Sequence, residues 1–336
     1  MAQTVPIEDE RLRALPALLD PARAAGLLAA AVPLSWGGPP EVLAIDVVKH
    51  NPGKRCALAY TVAGPDGQRL RLFAKVYRTD RGARIFAGMQ RIYEHVDRAE
   101  LIVPRPLAYA SRAKLLVTEF VDGVPLGTSI YAAGNADATR RAARAVATLH
   151  RCRAAVTRRW GPRHEIENTA DWITRLPRAA DDPLVARARE LLDRLAAIGS
   201  RLPEVPGRVV HRDFYLEQLF DLDGRTVLYD LDDIREGDPA VDVGNLLAHL
   251  TLRGMQFPVS RPGCEGARPV FLEEYAAAIA GEDELHAGLA DRVRFYEAAS
   301  LLRLVAVYAA RSRWKESLPP MLLDEAQRRL DAGERS

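Results

Sequence analysis

His211-Arg212-Asp213-Phe214-Tyr215-Leu216-Glu217-Gln218, followed by Val227-Leu228-Tyr229-Asp230, is the stretch that decides the fold. Each carboxylate that ends a strand-like apolar run stands on its own loop: Arg208-Val209-Val210 precedes the first, and Thr226 to Tyr229 precedes the second. Between them, Phe220-Asp221-Leu222-Asp223-Gly224-Arg225-Thr226 reads as a strand end, a tight Asp-Gly turn and a strand start. A hairpin of this kind brings Asp213, Gln218 and Asp230 to one edge. One carboxylate can then face a hydroxyl while the other holds a hard cation.

Outward from the hairpin, the two halves of the chain differ in pattern. Asp20-Pro21 starts a helix that ends before Pro33, so residues 1–36 read as a helical extension. Val42 to Val48, Arg55 to Val62 and Arg69 to Val76 are β-rich runs separated by the turns Asn51-Pro52-Gly53-Lys54 and Pro65-Asp66-Gly67-Gln68, which predicts a three-strand meander. A helix over 81–97 and strands near 106–109 and 115–120 complete a small sheet region, 37–122. Beyond the Asp122-Gly123 connector, 123–336 turns helical, with helices expected over 137–152, 182–199, 241–252, 270–280, 286–311 and 320–332. Arg158 to His164 reads as a solvated basic loop. A small sheet followed by helices, with the hairpin among the helices, is an α+β arrangement in two lobes.

The order H-x-D-x-x-x-x-(N/Q), hairpin, apolar-x-Asp resembles the catalytic half of the aminoglycoside phosphotransferase and choline kinase families. The resemblance spans roughly residues 42 to 310 and is most specific over 209 to 245. It implies a protein-kinase-like fold, with an antiparallel-sheet N-lobe and a larger, mainly helical C-lobe. The implied activity is transfer of the γ-phosphoryl group of ATP, with Mg²⁺, to a hydroxyl of a small molecule.

Carried residue by residue, the resemblance makes Asp213 the catalytic base, Asp230 a Mg²⁺ ligand, His211 a loop support and Asp242 a brace for the catalytic loop. Asp232 and Asp233 follow closely and share the acidic character of Asp230. Gln218 departs from the Asn usual at its position; it offers the same amide oxygen to a metal on an arm one methylene longer. Lys75, in Leu72-Phe73-Ala74-Lys75-Val76-Tyr77, is one of only five lysines and interrupts an apolar run; it matches the lysine that neutralises the α/β-phosphates of ATP. Its acidic partner is not evident in the following helix, where Arg84 to Ile92 holds no acid and Glu94 or Gln90 stand nearest. The turn Asn51 to Arg55 stands where a phosphate-covering loop would be, with Lys54 supplying charge or the segment forming a plain β-turn. Val117 to Gly123 resembles the hinge, where backbone groups of Glu119 and Val121 would meet adenine.

Composition narrows the alternatives. A chain of 336 residues, 48% hydrophobic and 27% charged, has the make-up of a soluble globular protein large enough for two cores. A formal charge of +2 gives no reason to expect nucleic acid. Cys56, Cys152 and Cys264 form no metal or disulfide pattern, and the longest apolar run, Ala24 to Leu34, is too short to cross a bilayer, so a cytoplasmic protein without a membrane partner is expected. Nothing in the sequence sets an oligomeric state. Residues 211–245 hold ten acids against three arginines, which favours a cationic acceptor, with an aminoglycoside, an amino-alcohol and a sugar all open. Tyr229-Asp230-Leu231-Asp232 also looks like the D-x-D of haloacid-dehalogenase phosphatases, but their motifs are separated by strand-helix units that are missing here. The alternative is a kinase-like protein that binds a nucleotide or a partner without turnover.

Overall fold

The computed structural model describes residues 7–32, 39–177, 179 and 182–334. Parts of the expected extension (1–6 and 33–36), the first residues of the expected sheet region (37–38) and the last two of the chain lie outside that set. By contact the chain divides into two compact units, Met1–Glu94 with Val103–Asp122, and His95–Ile102 with Gly123–Ser336.

The first unit opens with α1 (Leu15–Leu18) and α2 (Pro21–Ala31). Asp20 caps α2, its carboxylate accepting from the Arg23 amide at 2.8 Å with Pro21 in the first turn, as the Asp-Pro pair predicts. Three antiparallel strands follow: β1 (Glu41–Asn51), β2 (Arg55–Ala63) and β3 (Arg69–Tyr77). After α3 (Arg81–His95) and the short β4 (Leu101–Ile102) come β5 (Pro106–Ala110) and β6 (Leu115–Glu119), giving the sheet order β1-β2-β3-β6-β5. The two meander turns place glycines at φ 66° (Gly53) and 79° (Gly67), conformations other residues adopt at a cost.

Strand alternation gives the sheet two faces. Cys56, Leu58, Tyr60 and Val62 of β2 with Leu72, Ala74 and Val76 of β3 form one core with Leu12, Leu15, Leu18, Ala24 and Leu28 from the N-terminal segment and helices. The Tyr60 hydroxyl donates to the Leu18 carbonyl at 2.7 Å, so this core also satisfies its polar atom. Lys75 falls on the opposite face, in register with Ala57 and Leu116.

The second unit contains β4 and continues with β7 (Val124–Pro125), α4 (Leu126–Ala133), α5 (Ala136–Arg151), β8 (Arg159–Trp160), α6 (Pro162–Thr174) and α7 (Pro183–Gly199). Then come β9 (Arg208–Val210), β10 (Leu219–Leu222), β11 (Arg225–Leu228), β12 (Arg235–Gly237), α8 (Ala240–Gln256) and α9 (Arg261–Ala278). The chain closes with α10 (Asp283–His286), α11 (Leu289–Ala309) and α12 (Leu318–Glu334). Helix α11 is buried on all sides, as a helix at the centre of a helical core must be; α12, α8, α6 and α7 pack around it.

The expected hairpin is β10 and β11, antiparallel with Leu219 opposite Leu228 and Leu222 opposite Arg225. Its turn takes Asp223 to φ 51° and Gly224 to φ 80°, the two positive angles of a tight hairpin turn. Several readings of this unit need correction. Arg158 to His164 keeps its basic residues exposed but is not a loop: Arg159–Trp160 is a strand parallel to β12, and Gly161-Pro162 starts α6. Helices α4 and α6 were not expected, and α9 begins nine residues before 270, with Pro269 inside it. A proline removes one amide bond, and packing against α5 and α8 retains the helix around it. Among the described residues no helix is long and apolar enough to cross a membrane.

Candidate active site

The second unit assembles Asp213, Gln218, Asp230, His211 and Asp242 around its hairpin. Strand β9 delivers the chain to His211, and Arg212 then adopts φ 69°. A left-handed residue other than glycine costs on the order of 1–2 kcal/mol, and the Asp242 carboxylate offsets this by accepting from the amides of His211 at 2.7 Å and Arg212 at 2.6 Å. Asp242 is fully buried at the start of α8 and takes a further bond from His150 Nε2 at 3.0 Å; His150 in turn meets the Tyr275 hydroxyl at 2.8 Å. A buried carboxylate with this many donors stays tolerable in a low-dielectric interior.

Nε2 of the buried His211 ring donates to the Tyr229 carbonyl at 2.8 Å. The Tyr229 amide donates to the Gln218 carbonyl at 3.0 Å, which extends the hairpin one step past its strands. These two bonds tie the loop carrying Asp213 to the residue preceding Asp230. Asp230 has φ 57° and ψ 52°, a left-handed conformation that Asp tolerates better than most residues. The Gln218 side chain donates its amide nitrogen to the Tyr215 hydroxyl at 3.1 Å, a bond that does not use the amide oxygen.

Sequence reasoning missed the second support of this loop. The Phe214 carbonyl accepts from Asn245 Nδ2 at 3.0 Å; Asn245 Oδ1 accepts from Arg303 at 2.7 Å; Arg303 also binds Glu165 at 2.7 Å. Glu165, fully buried, accepts from Trp160 Nε1 at 2.8 Å, and the Arg212 guanidinium lies 3.1 Å over the Trp160 ring. The available signal was Trp160 itself, a large aromatic in a supposedly solvated basic run.

Burial pushes the Asp213 carboxyl above the ordinary carboxylate value; His211 and Arg303 pull it back, and the negative charges of Asp230 and Asp233 raise it again. Among the described residues no three His, Cys, Asp or Glu side chains gather into a metal cage. The donor set fits Mg²⁺, which takes one or two protein oxygens and completes its shell with phosphate and water. The mutual repulsion of Asp213, Asp230 and Asp233 is of the kind a cation relieves. Asp233 already pairs with Arg235 at 3.3 Å and Asp232 is buried. The surplus of acids over 211–245 is smaller in the fold than in the sequence, because Asp221 pairs with Arg141 and Asp238 with Arg292.

The first unit carries the other expected residues. Lys75 is half-buried on β3, with Nζ 5.9 Å from the Phe73 ring centre. Lys54 is exposed in the β1–β2 turn, its amide bonded to the Asn51 carbonyl at 3.0 Å. Glu119 has its amide on the Arg105 carbonyl at 2.9 Å, its carboxylate on the Arg105 amide and its carbonyl on the Thr118 hydroxyl. Val121 follows at the segment's end, flanked by Phe120, against which Arg71 stacks at 3.6 Å. Gln90 and Glu94 occupy exposed positions on α3.

Comparison with known proteins agrees with this architecture. The sequence profile of the phosphotransferase enzyme family matches residues 51–296, well over half of the chain. No curated protein sequence matches. Several solved structures share the fold. One is a thermostable mutant of aminoglycoside phosphotransferase APH(4)-Ia in ternary complex with AMP-PNP and hygromycin B (19% identity, 93% of this chain and 97% of that one covered, TM-score 0.58). Another is a choline/ethanolamine kinase family protein from Mesorhizobium loti (17%, 94% and 95%, TM-score 0.56). A third is the choline kinase LicA from Streptococcus pneumoniae (13%, 87% and 94%, TM-score 0.55). The fold is thus the α+β, protein-kinase-like one, with an antiparallel sheet in the N-terminal region and a larger helical part.

Proposed function

We propose, for a chain that belongs to the phosphotransferase enzyme family, that it moves the γ-phosphoryl group of ATP to a hydroxyl of a small molecule. The observation that carries this reading is the pair of ties across the hairpin. Asp242 holds the His211–Arg212 backbone, and His211 holds the Tyr229 carbonyl. Asp213 and Asp230 are thereby fixed relative to each other, as positioning-based catalysis needs.

Asp213 accepts or orients the acceptor hydroxyl proton, a task its raised pKa suits. Asp230 and the Gln218 amide oxygen hold Mg²⁺, which supplies charge neutralisation on the phosphates when bound. Lys75 adds positive charge at the α/β-phosphates, with Lys54 as a second contributor from its turn. Backbone groups of the segment holding Glu119 and Val121 meet adenine; the Glu119 amide is itself bonded to the Arg105 carbonyl. The AMP-PNP in the related structure supports a nucleotide of this type. For the acceptor, the carboxylates of Asp213 and Glu217 favour a cationic amine-bearing molecule such as an aminoglycoside or amino-alcohol over a neutral sugar. We assign the protein to the cytoplasm, and we take residues 37–122 and 123–336 as its working nucleotide-binding and catalytic regions.

Two substitutions separate the roles. Asp213→Asn should leave Mg·ATP binding nearly intact and lower turnover by about 10²-fold or more, the scale of a lost general base. Asp230→Asn should weaken nucleotide binding only when Mg²⁺ is present, because a neutral amide is a poorer ligand. Calorimetric binding and a phosphorylation screen over the three acceptor classes read both effects. Parent-like behaviour of both variants would remove the kinase reading. Mg·ATP binding by the parent with transfer to no hydroxyl compound would favour the non-catalytic alternative.

A further inference from the structure

The first unit contains a pocket of about 680 Å³ that no step of the phosphoryl transfer uses. Its lining brings together Arg11 and Arg13 from the N-terminal segment, Arg78 from the end of β3, and Arg112 and Lys114 from the β5–β6 turn. One carboxylate, Glu10, faces these five cations. The neighbouring Asp9 is committed elsewhere: it accepts from the Gly53 amide at 2.7 Å and meets His50 at 2.8 Å.

An arginine-rich chain does not by itself produce such a cluster. In the second unit Arg187, Arg194, Arg268, Arg292 and Arg303 each pair with a carboxylate. Among the described residues, none of Arg11, Arg13, Arg78 and Arg112 has an ion-pair partner. Lys114 donates to the Arg78 carbonyl at 3.1 Å, which fixes its ammonium at the pocket without neutralising it. Among the described residues the pocket therefore concentrates positive charge in excess of its one carboxylate, Glu10, and like charges held together repel unless an anion joins them.

We propose that this pocket is a binding site for a small polyphosphorylated anion. Guanidinium forks match phosphate oxygens two at a time, and several arginines approaching from three segments suit a ligand with more than one phosphate group. The volume is that of a small-molecule site. Tyr77, the aromatic in the lining, is 2% exposed and offers no face on which a nucleobase could stack, which favours a compact anion over a single-stranded nucleic acid.

The test is calorimetric titration of the full chain with inorganic tripolyphosphate, in EDTA and at low salt. Saturable binding is expected. Losing two charge-assisted contacts in Arg13→Gln with Arg112→Gln should weaken it about tenfold or more, and both side chains are exposed, so folding should be retained. If that pair proves unstable, Arg11→Gln with Lys114→Gln makes the same measurement. Lys75→Met should change the affinity by less than about twofold on the same scale. The proposal is overturned by absent binding in the parent, by parent-like affinity in the charge-removed chain, or by loss in Lys75→Met alone. It is also overturned if a twelve-nucleotide single strand displaces tripolyphosphate more effectively than tripolyphosphate itself, which would make the surface a nucleic-acid site. None of these outcomes bears on the roles of Asp213 and Asp230.

Discussion

Two residues beyond Asp213, the Tyr215 ring stacks on His249 with centroids 4.4 Å apart and 17° between planes, while its hydroxyl receives the Gln218 amide. The longer arm of Gln is thus held by a ring that is itself held, a device an Asn at 218 could not reach in the same way. Burial pushes the His249 imidazole down to about 3 from 6.5, with the charges of Arg303 and Arg311 acting in the same direction. The folded chain therefore keeps this ring neutral where the unfolded chain protonates it. Below pH 6.5 the unfolded state binds the extra proton, so this group's contribution to stability falls as pH drops toward 3. The slope is at most about 1.4 kcal/mol per pH unit, less where the ring edge keeps contact with water. His249→Phe keeps the stacked ring and removes the proton. Urea unfolding between about pH 7 and about pH 5 should show a shallower loss of stability in the variant; an unchanged slope would mean that His249 titrates normally in the fold.

At the scale of elements, the close crossing of α8 and α11 sets the position of Asp242, since Asp242 lies in the first turn of α8. Gly244 permits that crossing: a Cβ there would stand 2.6 Å from the Glu297 amide nitrogen and 2.8 Å from the Tyr296 carbonyl carbon. Alanine favours an isolated helix over glycine by about 1 kcal/mol, but overpacking backbone against backbone costs about 1–3 kcal/mol. Gly244→Ala should therefore destabilise the chain by up to about 2 kcal/mol in denaturant unfolding, the steric cost less the propensity gain; a stabilised variant would show that the helices can separate freely. This contact has no sequence signal, because it depends on two segments some fifty residues apart. The hairpin was legible for the opposite reason: its Asp223-Gly224 turn and flanking apolar residues are local. The clamp from Asp242 was accessible only through the family resemblance. Glu165, Asn245 and Arg303 were not legible at all, since each takes its meaning from partners on other helices and resembles an ordinary surface residue in sequence. The β8 strand was lost because two residues carry no periodicity.

At the scale of the molecule, the N-terminal helices, read from sequence as an extension, are either an appendage or a structural layer. Leu12, Leu15, Leu18 and Leu28 are at most 1% exposed, and they share a core with the strands that carry Lys75. Alternation along β3 makes the connection consequential: Leu72, Ala74 and Val76 face the helices, so Lys75 must face the other way. A cavity under this face would loosen the strand that positions the lysine. Leu15→Ala should cost about 2–5 kcal/mol, the range for truncating a fully buried leucine. The loss should appear as faster amide hydrogen exchange through Arg55–Ala63 and Arg69–Tyr77, not only within the helices, because one shared core opens as a unit. ATP affinity should fall with it, while a similar truncation at the exposed Leu43 should leave both unchanged. If exchange in the two strands instead matches the parent while the helices alone lose protection, the helices are an appendage, and the orientation of Lys75 rests on the sheet by itself.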